Sequence, residues 1–395
     1  MSSTVLTAAP SSRVSGLTLS KPQAIHWSIW SCVIASLSIL TGLYWDISWH
    51  ATIGRDTFWT PAHLLIQFAA LLTAFSSSIL IFKTTFGGDQ AARQASVNVL
   101  GFRGPMGAFV SAWGGVAMLI SAPFDNWWHD AYGLDVKIVS PPHMLLALGI
   151  ASILLGGVIM IVGQMNRAEG ALHKRLHQLL LLSGGLLLVL DMLINLSQTG
   201  RFFQHSPVFY LAVGLFTPLL VESIARASGW RWARTGIASI YTVWFLLTLW
   251  IFPLFPGEPK LGPVYWKVDH MIPLGFPALL VIPAFLLDYL GPKLGIQNRG
   301  KWTQALLLGT LFLAALMAVQ WPFANFLMSS GARNWFFGTI YHYYAAPPNS
   351  HEIRNMFFHS TALLWWVGMP GAVLAFILST RLGITFGNWM HEVRR

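Results

Sequence analysis

Residues 46–63 read DISWHATIGRDTFWTPAH, a polar interruption between one apolar run over 25–46 and another over 60–83. That placement makes the stretch a loop joining two antiparallel helices. Each flanking run is long enough to cross a bilayer, which takes about 20 residues of helix. The alternation continues along the chain, with further runs near 105–124, 141–164, 173–197, 207–225, 232–254, 270–290, 302–325 and 358–380. The expected fold is therefore an all-α integral membrane protein of about ten transmembrane helices. Composition agrees: of 395 residues 55% are hydrophobic and only 10% charged, mean hydropathy is +0.58, and there are 19 tryptophans. A water-soluble enzyme with a large core is excluded on those figures.

Basic residues orient such a chain, because Lys and Arg collect on the cytoplasmic side. With the N-terminus inside, the inner segments hold Arg13, Lys21, Lys83, Arg93, Arg103, Arg167, Lys174, Arg175, Arg226, Arg231, Arg234, Lys293, Arg299, Lys301, Arg381, Arg394 and Arg395. The outer ones hold only Arg55, Lys137, Arg201, Lys260, Lys267, Arg333 and Arg354. Both termini are predicted to be cytoplasmic, and the net charge of +10 reads as an orientation signal with nothing to support a nucleic-acid role. The Ser/Thr-rich stretch over 1–24 reads as a flexible cytoplasmic tail, since it lacks the apolar core of a signal peptide. A single cysteine, Cys32, excludes a disulfide framework, a CxxC redox pair and c-type haem attachment.

The opening loop has a second copy. Residues 125–143 read DNWWHDAYGLDVKIVSPPH. Both stretches follow an apolar run, begin Asp-x3-His with a Trp before the His, pass a Gly-x-Asp and end on a Pro-containing His that opens the next helix. Asp46, His50 and His63 correspond to Asp125, His129 and His143 at an offset of about 79 residues, so the first four helices, 25–165, form a helix–loop–helix repeat. Residues four apart share a helix face, which aims Asp46 and His50 together. Pro61 suits a first helical turn and sets His63 one turn in. Two imidazoles and a carboxylate from two helix ends suit copper, zinc or non-haem iron, with a position left open for water, dioxygen or substrate. The competing reading is hydrated interfacial side chains paired with Arg55 and Lys137; two copies in one order favour metal.

These residues resemble a known family. Asp46 with WHATIGRDTFWTPAHLL is similar to the first copper-site segment in the metal-binding membrane subunit of the copper membrane monooxygenases, the particulate methane and ammonia monooxygenases. Arg55, Asp56, Thr57, Thr60, Pro61 and His63 all fall into its pattern. The second loop is similar to the family's Asn-x3-His-x13-His segment, with Asp125 in place of the usual Asn, which makes that site more anionic. The resemblance covers about residues 40–160. Weaker echoes of the family's other membrane subunit lie in 270–354, at FPALLVIPAFLLDYL (276–290), WPFANF (321–326) and YHYYAAPPNSHEIR (341–354), within a second membrane region over 166–395.

The resemblance implies a copper-dependent oxidoreductase holding one or two copper ions, iron or zinc being less expected. Its chemistry would be reduction of copper, binding of dioxygen and insertion of one oxygen atom into a small apolar substrate reached from the bilayer. It also implies a prokaryotic cytoplasmic or intracytoplasmic membrane with the sites facing outward, and a homo-oligomer. Nothing here resembles the soluble cupredoxin domains that the family carries on a further polypeptide, so a cupredoxin-containing partner is expected. The family's metal-binding membrane subunit usually has membrane helices ahead of its first site, whereas here the site follows the first helix.

Other polar residues compete for roles. Asp269, His270, His342, His351, Glu352 and His359 gather near the outer ends of the later helices, as a third metal site, a substrate entry or, more plainly, interfacial side chains. Asp191, in the middle of the fifth run with Asn195 four residues on, is a candidate proton relay or a carboxylate paired across the bundle. Glu222 and Arg226 read as a simple i,i+4 pair. Two rival functions stand beside the oxidoreductase. A metal transporter or storage protein should carry ligands through the bilayer, whereas these crowd one side. A b-type cytochrome should carry histidines inside facing helices.

Overall fold

The computed structural model describes residues 22–133, 140–360 and 363–394; most of the expected tail and positions 134–139 of the second loop lie outside the described residues. The chain is mostly helical. Among the described residues nine helices are long and apolar enough to cross a membrane. In chain order, the long helices and one shorter one are α1 (Trp27–Thr52), α2 (Pro61–Phe86), α3 (Met106–Tyr132), α4 (Pro141–Met165), α5 (Gly170–Ile194), α6 (Pro207–Ser228), α7 (Ala233–Ile251), α8 (Val281–Lys293), α9 (Lys301–Met328) and α10 (Trp365–Glu392). A two-residue turn closes a small antiparallel hairpin, Val97–Val99 with Phe102–Gly104, between α2 and α3.

Helix ends follow the sequence. Pro61, Pro141 and Pro207 open α2, α4 and α6, where the missing N–H would have no partner anyway. Gly133 at φ 97° and Gly229 at φ 65° close α3 and α6. Both α1 and α3 run beyond their apolar cores, so Asp46 and His50, and likewise Asp125 and His129, sit in final helical turns rather than in loops.

The outer face of α2 explains why this bundle belongs in lipid. Leu64, Phe68, Leu71, Phe75, Ile79 and Phe82 are all exposed and fall on one stripe, an apolar face that water would penalise along its whole length. Inside, α3 is wedged between α2 and α4 by glycines. A Cβ on Gly114 would meet the Gly149 carbonyl at 2.6 Å, and one on Gly115 would meet the Ala70 carbonyl at 2.8 Å. Such close approach is how membrane helices associate without a hydrophobic drive between them.

One expected span is different. The run over 270–290 is not a single helix: residues 271–279 are non-helical and only the 13 residues of α8 are helical. Pro273 and Pro277 supply no N–H and bias their predecessors away from helix. Irregular backbone inside a membrane bundle survives only where protein groups satisfy it or it lines a cavity, and here five side chains satisfy five of its backbone groups. Ser48 Oγ donates to the Ile272 carbonyl at 2.6 Å, and Ile272 N–H donates to Thr52 Oγ1 at 2.8 Å. Leu274 N–H donates to Tyr44 Oη at 2.9 Å, Ala278 N–H to Tyr241 Oη at 3.0 Å, and Leu279 N–H to Gln320 Oε1 at 2.9 Å. The last helix also starts later than its apolar run, at Trp365.

At the opposite end of the bundle from Asp46 and Asp125, Glu222 and Arg226 are more than a local pair. Arg234 joins Glu222 at 2.8 Å to the fully buried Asp288 at 2.9 Å, tying α6, α7 and α8 together.

Candidate metal centre

The first loop brings four groups together. Asp46 and His50 come from the last turns of α1, Asp56 from the loop, and His63 from the first turn of α2. His63 Nε2 lies 3.1 Å from Asp46 Oδ1 and 2.9 Å from Asp56 Oδ2, while His50 Nε2 lies 3.9 Å and 3.6 Å from the same two oxygens. Ligand atoms of Asp46, His50 and Asp56 all fall within 4.8 Å of one another. The two imidazoles thus flank a pair of carboxylates. Asp56 is the member that reading the sequence for ligands passes over. Its signal lies in the Gly-x-Asp shared by both loops, which reads as a flank of the motif until the fold turns it inward.

The ring nitrogens are oriented for coordination. His63 Nδ1–H donates to the Thr57 carbonyl at 2.9 Å, which turns Nε2 toward the carboxylates of Asp46 and Asp56; these hold a proton on Nε2 that a bound cation would displace. Bonding of the far ring nitrogen is what fixes a metal-ligating histidine. The loop is held in turn by Thr57 N–H donating to Thr60 Oγ1 at 2.9 Å, and by Gly54 at φ 101°.

The second loop repeats the pattern more loosely. Asp125 sits between two imidazoles, with Oδ2 3.4 Å from His129 Nε2 and Oδ1 3.7 Å from His143 Nε2. His129 Nδ1–H donates to the Gly133 carbonyl at 3.2 Å, and His143 Nδ1 bonds Ser140 Oγ at 2.8 Å. Asp135, the counterpart of Asp56, lies outside the described residues.

A metal fits these donors for a reason beyond their type. Among the described residues, Asp46 Oδ1 and Asp125 Oδ1 are buried oxygens that complete no hydrogen bond, and the buried indole nitrogens of Trp49 and Trp128, which precede the two histidines, have no partner either. His63 Nε2 lies within ion-pair distance of Asp46 Oδ1, at 3.1 Å. Buried polar atoms are almost always satisfied; orphans at matching positions of two loops mark places where a further group belongs. The ligand side chains are also partly open, His50 at 52% and His143 at 36%, which leaves room for an exogenous ligand. A cavity of ≈ 650 Å³ lies between the first loop, α2 and α3, lined by Phe58, Trp59, Leu64, Phe68, Leu119, Pro123 and Asn126 among others.

The later half of the chain braces the first site. Lys260 N–H donates to the Ile53 carbonyl, Tyr344 N–H donates to the Ala51 carbonyl, and Val268, Ile272 and Tyr344 pack together against Ala51. The region over 270–354 that carries the weaker family echoes thus supports the end of α1 that bears Asp46 and His50.

The remaining candidates do not assemble into a third centre among the described residues. His270 pairs with its neighbour Asp269. His342 contacts Met356 Sδ and stacks on Trp266, His351 lies edge-on to Phe202, and His359 bonds Asn325 and stacks on His205. Glu352 lies in the one-turn helix His351–Arg354, where its carboxyl is held below the usual range by local backbone and Ser350 hydrogen bonds. Asp191 is buried between α5 and α6, accepting from Thr217 Oγ1 at 2.6 Å and Asn195 Nδ2 at 3.0 Å. Its bonds reach neither of the two Asp/His groups.

The chain matches no family model, no curated protein and no solved structure. Its function is therefore argued from the geometry of the two loops.

Proposed function

We propose that the protein is a metal-dependent membrane oxidoreductase. It would hold copper at Asp46, His50, Asp56 and His63, and a second ion at Asp125, His129 and His143. The observation that carries this reading is the matched pair of orphaned carboxylate oxygens, Asp46 Oδ1 and Asp125 Oδ1, each facing imidazole Nε2 atoms. The matching lengths of α1 and α3, and the meeting of Cys32 with Ser111, 79 positions apart, at 3.5 Å, support a duplicated hairpin as its origin.

Bound there, copper would supply one-electron redox chemistry and a coordination position for dioxygen. The chain's own residues would hold the imidazole tautomers, keep two carboxylates beside the ion, and offer an apolar cavity lined by Phe58, Trp59 and Phe68 to a small hydrophobic substrate entering from lipid. Likeness to the metal-binding membrane subunit of the copper membrane monooxygenases supports monooxygenation, a homo-oligomer and a cupredoxin-containing partner as electron donor. The basic-residue asymmetry supports cytoplasmic termini in a prokaryotic membrane with the sites outward.

A second reading, transport or storage of the metal, is favoured by one observation: the unwound segment 271–279 resembles the discontinuous helices around which transporters bind their cargo. Metal analysis of the purified protein beside His50→Ala and His129→Ala tests the centre, since copper absent, or present and unaffected by both changes, overturns it. Dioxygen consumption with a reductant then separates an oxidoreductase from a carrier.

A further inference from the structure

A second cavity, of ≈ 270 Å³, lies away from both loops, between the end of α5, α7, the unwound segment 271–279 and the stretch 337–341. Its lining contains no Asp or Glu, and it contains Arg201. Among the described residues the Arg201 guanidinium has no hydrogen bond, ion pair or ring contact, although it is half-buried. An arginine in such a place ordinarily pairs, because five donors and a full charge are costly to leave unsatisfied. The field around it deepens the anomaly. Arg333 and His342 are its electrostatic neighbours, and burial together with Arg333 pushes the Arg201 guanidinium down to about 10. Asp191, one position from the cavity-lining Met192, is already held by Thr217 and Asn195.

The rest of the lining adds further donors beside the backbone carbonyls of the unwound segment. Tyr241 accepts from Ala278 N–H and, among the described residues, donates its hydroxyl hydrogen to nothing. The amide N–H groups of Gly275 and Phe276 have no partner there either, because the segment is not helical and no neighbouring side chain reaches them. Phe245, Leu327 and Phe337 make up much of the remaining wall.

The geometry points to an anion site in this cavity: Arg201 binds a carboxylate or phosphate head group whose short apolar remainder lies against Phe245, Leu327 and Phe337. One unpaired guanidinium in a lining without Asp or Glu is what bidentate recognition of such an oxyanion needs, and the volume suits a small ligand or the head of a lipid. The site is separate from the metal loops, so its occupancy does not depend on the metal reading.

The test uses the full-length purified protein. In detergent, hexanoate and inorganic phosphate are titrated against thermal unfolding, with chloride as the ionic-strength control. In parallel, native mass spectrometry follows phosphatidylglycerol and phosphatidylcholine retained after release from nanodiscs. A midpoint rise with hexanoate or phosphate that is lost in Arg201→Gln identifies a free anion. Retention of phosphatidylglycerol over phosphatidylcholine, lost in the same variant, identifies a lipid head group. Should Arg201→Gln fail to fold, Arg201→Lys keeps the charge without the fork and should bind the responding anion about tenfold more weakly. The inference is overturned if wild type responds to neither arm, or if the folded variant responds as wild type does. Copper content should be unchanged in both variants.

Discussion

Asp56 Oδ2 lies 2.9 Å from His63 Nε2, the shortest approach of any carboxylate to that imidazole in the first cluster. Burial opposes ionisation of Asp56, but hydrogen bonds and charge from His50 and His63 win and hold its carboxyl well below the usual range. A carboxylate kept ionised between two imidazoles is available to pair with the protonated rings or with a cation that replaces their protons. Two carboxylates with two imidazoles also make a harder, more anionic donor set than the three residues legible as a motif.

Replacing that charge while keeping its shape is therefore informative. Asp56→Asn should weaken metal binding at the first site by about 10- to 100-fold, the range typical of losing a directing or ligating group, and leave the second site's metal in place. Competition with a graded chelator, read as metal retained per chain, measures both. Wild-type affinity in Asp56→Asn would reduce Asp56 to a counter-ion for the histidines.

Gly54 tests whether loop shape matters independently of ligands. Its φ of 101° is open to glycine, and a Cβ there would press on Tyr344 Oη. Gly54→Ala should cost about 1–3 kcal/mol of local strain, and lower occupancy at the first site although no donor is removed. Metal stoichiometry with unchanged helical circular dichroism separates this outcome from global unfolding. Tyr344→Phe, which relieves the contact but not the φ, should restore only part of the metal.

Most of the helices and both loops were legible because each depends on a local signal. Apolar runs set the spans, Pro61 and Pro141 opened α2 and α4, and two Asp-x3-His units repeated in one order. What was not legible depends on partners far away in sequence. The run over 270–290 is apolar enough to read as a helix, and its unwinding at Pro273 and Pro277 is supported by Ser48, Thr52, Tyr44, Tyr241 and Gln320, which satisfy five of its backbone groups. No window of local sequence contains those residues. The donor role open to Asp56 was hidden differently, because its position in the loop carries no helical periodicity to aim it.

The unwound segment should accordingly be sensitive at residues outside it. Gln320 is fully buried in α9, accepts from Leu279 N–H at 2.9 Å, and donates to Gln204 Oε1 at 2.8 Å. Gln320→Leu preserves bulk but strands both partners, which should cost about 1–3 kcal/mol for each group left unsatisfied. Thr52→Val should cost about 1–3 kcal/mol by stranding Ile272 N–H alone. Unfolding midpoints in one detergent rank the two, and a Gln320→Leu effect smaller than that of Thr52→Val would show that the segment does not depend on Gln320 in this way.

The stack of His205 on His359, with ring centroids 3.6 Å apart, predicts an acid-sensitive region away from the metal loops. Burial first, and then the neighbouring His205, push His359 down from 6.5 to about 4. The unfolded chain therefore takes up this proton at a higher pH than the folded one. The sign follows: the contribution to stability is complete above about pH 6.5, declines as the pH falls, and is lost by the time it passes through about 4. His359→Gln, which cannot be protonated, should flatten the dependence of the unfolding midpoint on pH across that window while changing it little at pH 8. Because His359 is partly exposed, solvent screens the effect and the slope should be shallower than a fully buried histidine would give. Equal slopes for wild type and His359→Gln between those two pH values would assign the acid sensitivity to other groups.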